Sequence, residues 1–70
     1  MKVEFTNVGR NKKSWIADLP VVNDARLHEA VKKSGALASR DIDFTFEDDE
    51  QSGEVLVGGF RAVGTWKVIQ

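Results

Sequence analysis

Residues 24 to 34 form the one stretch in which apolar side chains recur at helical spacing; most other apolar residues alternate with polar ones at period two. A chain with one short helix and several strands has few ways to bury an apolar face. The strands must form a sheet and the helix must cover it. The helix limits are legible. Asn23 is a good N-cap, Asp24 sets negative charge against the positive end of the dipole, and Val22 can staple onto Leu27. Leu27, Ala30, Val31 and Ser34 make a narrow inner face, and Arg26, His28, Glu29, Lys32 and Lys33 are expected to point outward. Glu29 precedes Lys33 in the favourable i,i+4 order, and Gly35 supplies the left-handed residue that stops the helix. Such a helix is too short to stand alone in water.

The strands read as follows. Val3 and Phe5 alternate with Lys2, Glu4 and Thr6, giving a strand over residues 1 to 8. The polar turn Gly9-Arg10-Asn11-Lys12 leads to a second strand, in which Trp15, Ala17 and Leu19 alternate with Ser14, Ile16 and Asp18 up to Pro20. After the helix, Ile42, Phe44 and Phe46 alternate with Asp41, Asp43, Thr45 and Glu47. A polar loop, 48 to 53, connects to a strand through Val55, Leu56 and Val57. Gly58 and Gly59 suggest a bulge or sharp bend, Phe60 to Val63 lead to Gly64, and Thr65 to Ile69 reads as the last strand with Trp66 and Val68 inward. The expected architecture is a single α+β domain over residues 1–70, ββαβββ in two layers, with an antiparallel sheet of four to five strands and one helix on one face. On the other face Ile16, Leu56 and Ile69 could form a small apolar patch, provided the register holds.

Composition narrows the function classes. The 70 residues contain one proline and no cysteine, which excludes disulfide staples, thiolate zinc sites and cysteine nucleophiles. Hydrophobic residues are 41% and charged residues 30%, ordinary for a globular chain. Size scaling gives a folded surface of roughly 4,400 Å². No long apolar stretch or signal-peptide pattern is evident, so the expectation is a cytoplasmic protein without membrane association.

Charge is unevenly placed. Residues 1–40 carry eight Lys/Arg and four Asp/Glu; residues 41–70 carry two and seven. If the two hairpins lie at opposite ends of the sheet, one tip is basic at Arg10, Lys12 and Lys13, and the other acidic at Asp48, Asp49 and Glu50. This asymmetry favours steered association with a charged partner or head-to-tail self-association, although charged turns also serve simply to solubilise.

Chemistry at a catalytic site finds little support. The single histidine, His28, has only Asp24 as a plausible neighbour on the helix, and no serine or threonine is tied to it. Asp41, Asp43, Glu47, Asp48, Asp49 and Glu50 lack the spacing of a calcium hand. Gly58-Gly59-Phe60-Arg61 precedes a strand, whereas a phosphate-cradling loop precedes a helix. The expectation is no enzyme activity, no cofactor and no metal. Nucleic acid is a more serious alternative: Arg10, Lys12 and Lys13 beside Trp15, with Phe60 and Arg61, combine cations and aromatics, against a net charge of −1.

The segments Asn7 to Trp15, Gly35-Ala36-Leu37 with Ser39-Arg40-Asp41, and Gly59-Phe60-Arg61 with Val63-Gly64-Thr65-Trp66 resemble the small single-domain accessory proteins of bacteriophages and prophages. The likeness is in size, composition and strand order, and extends to some anti-CRISPR inhibitors. It implies binding to a host macromolecule without catalysis, in the host cytoplasm, and transfers no functional residues. The sequence thus favours a non-enzymatic interaction module binding a host protein or complex through Arg10, Lys12, Lys13, Asp48, Asp49, Glu50 and Arg61, or pairing with itself as a homodimer. The alternatives are a small nucleic-acid-binding domain using the basic hairpin with Phe60 and Arg61, and a virion or packaging component.

Overall fold

A computed structural model describes residues 1–37, 41–47 and 49–70. In chain order the elements are β1 (Lys2–Val8), β2 (Lys13–Asp18), α1 (Asp24–Ser34), β3 (Ile42–Phe44), β4 (Ser52–Val57) and β5 (Arg61–Val68). The strands form one sheet in the order β2-β1-β5-β4-β3, and every neighbouring pair is antiparallel. With one helix beside it, this is a small α+β fold. The accessible surface is 4620 Å², near the value expected from chain length.

The helix spans the expected residues because its caps are satisfied. The Arg26 amide donates to Asn23 Oδ1 at 2.9 Å, and the Gly35 amide, at φ 75°, donates to the Lys32 carbonyl. Leu27, Ala30 and Val31 are buried in one cluster with Val3, Phe5, Val8, Ile42, Phe44, Val55 and Trp66, so the helix covers the face that alternation turns inward. Trp15 stacks on Phe5 at 4.6 Å between ring centroids, and Trp66 meets the edge of Phe46.

Four expectations need correction. The strand at 42–47 is interrupted after Phe44: the Thr45 amide still donates to the Glu54 carbonyl at 3.0 Å and Glu47 pairs with Ser52, but the Thr45 carbonyl accepts a hydrogen bond from Trp66 Nε1 at 3.1 Å. The Glu54 amide turns instead to Thr45 Oγ1. Next, β5 runs unbroken through Gly64. Val63 is an extra residue, since Val55 pairs with Gly64 while Leu56 pairs with Ala62, and Gly58 to Phe60 form the β4–β5 turn. The apolar patch also fails to form. Ile16 stands opposite Glu4, which is opposite Lys67, whereas Leu56 stands opposite Asp43 and Ala62. Polar side chains therefore separate Ile16, Leu56 and Ile69. Last, His28 does not face solvent fully: it is half-buried, and its Nε2 is shut from water with no hydrogen-bond partner among the described residues.

Among the described residues, no helix is long and apolar enough to cross a membrane.

Candidate functional site

Antiparallel pairing fixes which loops share an end of the sheet. The β1–β2 turn lies at the C-terminal end of β1, and β5 begins at that same end, with β4 finishing beside it. Residues 9–12 and the turn 58–60 are therefore neighbours, although about fifty positions apart in sequence. The β3–β4 turn lies at the far end, where the Val68 amide donates to the Gln51 carbonyl. The sheet thus carries a basic end and an acidic end.

At the basic end Arg10, Lys12 and Arg61 line one concavity of about 690 Å³, with Thr6, Asn7 and Thr65 among its polar walls. The local backbone opens it. Asn7 and Lys12 adopt φ of 52° and 50°, and the β1–β2 register shifts between Phe5 and Val8, so the hairpin tip departs from flat pairing. On β5 the Val63 bulge displaces Ala62 and Arg61 at the facing wall. The Gly9 amide donates to the Val63 carbonyl at 2.9 Å and ties the two walls together.

Three cations here meet one lining carboxylate, Glu54. Arg10, Lys12 and Arg61 have no carboxylate within ion-pair distance among the described residues; the exposed pair Arg26–Glu29 lies on the helix. Unpaired like charges around a concavity focus a positive potential outward. Phe60, next to Arg61 in the chain at the β4–β5 turn, is 88% exposed and is not among the residues lining the concavity.

The remaining sequence candidates are placed elsewhere. Lys13 Nζ donates to the Ser34 carbonyl at 2.5 Å, so this cation caps the C-terminal end of α1 and is not among the residues lining the concavity. Asp49 and Glu50 are exposed at the acidic end, with φ of 57° and 64°. Asp48 lies outside the described residues. Neither tryptophan lies open to solvent beside the cations: Trp66 is buried and Trp15 is half-buried against Phe5. Among the described residues no three His, Asp or Glu side chains gather into a metal-binding group.

Sequence reasoning did not find Thr6, Asn7, Glu54 and Thr65 as lining residues. Glu54 and Thr65 face each other across the β4–β5 hairpin, but Thr6 and Asn7 join them only through the pairing of β1 with β5, a strand distant in sequence. The available signal was the pair Gly58-Gly59, whose φ values of 69° and 85° suit a hairpin turn, and such a turn brings Arg61 back to the β1 side.

No protein-family model, curated protein or solved structure matches the chain.

Proposed function

We propose that this chain is a non-enzymatic interaction module that binds an acidic surface of another macromolecule through its basic end. The observation that carries this reading is the meeting of Arg10, Lys12 and Arg61, from two separate hairpins, around one concavity whose lining includes a single carboxylate, Glu54, with none of the three cations in an ion pair among the described residues. Solvated turn charges need not converge; these do. Arginine beside an exposed aromatic is the composition that dominates binding energy at protein interfaces, which favours a protein partner for Arg10, Arg61 and Phe60. The phage-accessory likeness agrees with a host protein as that partner. The acidic turn at Asp49 and Glu50 lies at the other end of the sheet and serves orientation and steering in this reading.

Exposure of Phe60 also favours a second reading, binding of single-stranded nucleic acid, in which a base stacks on the ring and phosphates lie on the three cations. Fluorescence anisotropy separates the two. A labelled oligothymidylate and a labelled polyglutamate peptide are each titrated with protein at low and physiological salt. An acidic-protein partner predicts polyglutamate binding that Arg10→Glu with Arg61→Glu weakens by at least about tenfold, one step of roughly 1.4 kcal/mol. Oligothymidylate binding that is lost in Phe60→Ala supports the second reading. No binding of either polymer at low salt contradicts both.

A further inference from the structure

Among the described residues the sheet ends in two edge strands without a further strand beside them, β2 and β3, and they are not alike. At one edge β3 is three residues long and carries Asp43 at its centre, so a short charged strand blunts it. At the other edge β2 has six residues, with the charges Lys13 and Asp18 only at its ends and Ser14-Trp15-Ile16-Ala17 between them. Its backbone polarity follows from pairing. Met1 N donates to the Leu19 carbonyl and the Leu19 amide to the Met1 carbonyl, both at 2.7 Å, so Leu19 faces β1 with both groups. With a period of two, Ala17 and Trp15 also face β1, and Ser14, Ile16 and Asp18 direct N–H and C=O away from the sheet.

We propose that this edge is an interaction surface for a second copy of the chain, β2 pairing antiparallel with β2 about Ile16 to give one continuous sheet. Residues with outward backbone groups must oppose one another. Centring on Ile16 is the one arrangement that pairs Ser14, Ile16 and Asp18 of both strands at once: Ser14 with Asp18, and Ile16 with itself. The side chains agree. Ile16, 56% exposed in one chain, meets its own copy on the axis. Ser14 Oγ already accepts from the Asn7 amide, which leaves its proton for the opposing Asp18 carboxylate. On the other face Trp15 opposes Ala17.

Charge complementarity argues for a copy rather than an arbitrary extended peptide. Beside this edge runs a shallow groove lined by β2 together with Glu29, Ala30, Lys33 and Ser34 of the helix. A two-fold axis perpendicular to the sheet keeps both helices on the same side and reverses their directions. Glu29 and Lys33 both border this groove, so the proposed pairing sets Glu29 of one copy toward Lys33 of the other, in place of its exposed contact with Arg26 of its own helix. The surface is independent of Arg10, Lys12, Arg61 and Phe60, which none of these contacts uses.

The test is sedimentation equilibrium over a concentration series, with amide exchange on the same samples. The expected result is a rise from one-chain to two-chain mass, with the Ser14, Ile16 and Asp18 amides protected. Ile16→Lys, which sets two ammonium groups on the axis, should weaken dimerisation by at least about tenfold with unchanged circular dichroism. Ile69→Lys, on the same sheet face away from this edge, should dimerise normally. If Ile16→Lys fails to fold, the exchange pattern of the unmodified protein decides. A chain that stays monomeric, including one that binds an added peptide at this edge, overturns the proposal. So does a dimer in which those three amides exchange freely, or one indifferent to Ile16→Lys.

Discussion

A Cβ placed on Gly53 would stand 1.7 Å from the Thr45 carbonyl oxygen and 2.8 Å from Trp66 Nε1. Neither neighbour can withdraw, because the two are hydrogen-bonded to each other and Trp66 is buried. Gly53→Ala is therefore expected to cost roughly 2–4 kcal/mol, read as a lower urea midpoint with a red-shifted tryptophan emission. His28 works in the opposite direction. Its Nε2 is buried without a partner among the described residues, and an unmade hydrogen bond costs about 1–3 kcal/mol. His28→Leu should accordingly raise stability by about 1 kcal/mol in thermal melts. Neither residue's role can be read from local pattern. Gly53 looks like the end of a polar loop, and Trp66, which makes it necessary, is its partner on the next strand, while the Thr45 carbonyl it would strike comes from the strand before; His28 sits at an outward position of a helix too short to show which neighbours close over it.

Among the elements, α1 was the most legible, because its limits depend on Asn23 and Gly35, residues adjacent in sequence to what they cap. Asn23→Ala should cost about 1 kcal/mol, measurable by chemical denaturation, through loss of the bond to the Arg26 amide. The first hairpin was equally plain in outline, yet its cations divide in a way no pattern foretells. Lys12 borders the concavity, whereas Lys13 reaches the Ser34 carbonyl. Lys13→Met should lower stability by about 0.5 kcal/mol, an effect that salt screens, and leave polyanion binding intact; Lys12→Met should do the reverse. Comparing melts and binding isotherms of the two variants checks this. The strand 42–47 and the last strand were misjudged at their ends for a shared reason. Where pairing is altered by a tertiary contact, as at Thr45, or by a bulge, as at Val63, alternation in one strand does not report what its neighbour does.

At the scale of the whole molecule, the uneven charge of the sequence becomes a spatial polarity. The six residues of β4 alone separate the basic and acidic ends by roughly 17 Å, beyond a screening length of about 8 Å at physiological salt, so the two ends act independently. From the sequence that separation is only a conditional expectation, because which end each hairpin occupies depends on β5 pairing antiparallel with β1. The convergence of Arg61 on Arg10 and Lys12 rests on the same pairing rather than on any local pattern. Pairing of two copies along β2 would leave both basic ends open and pointing in opposite directions, and would thereby present two binding sites.

The central claim is that cations of two hairpins form one anion-binding end. Its most direct test is an amide chemical-shift titration with polyglutamate and oligothymidylate at low and physiological salt. The account predicts perturbations confined to residues 9–12 and 60–65, fading as salt rises and absent in Arg10→Glu with Arg61→Glu. Perturbations centred on the helix or the β3–β4 turn, or none at low salt with either polymer, would contradict it.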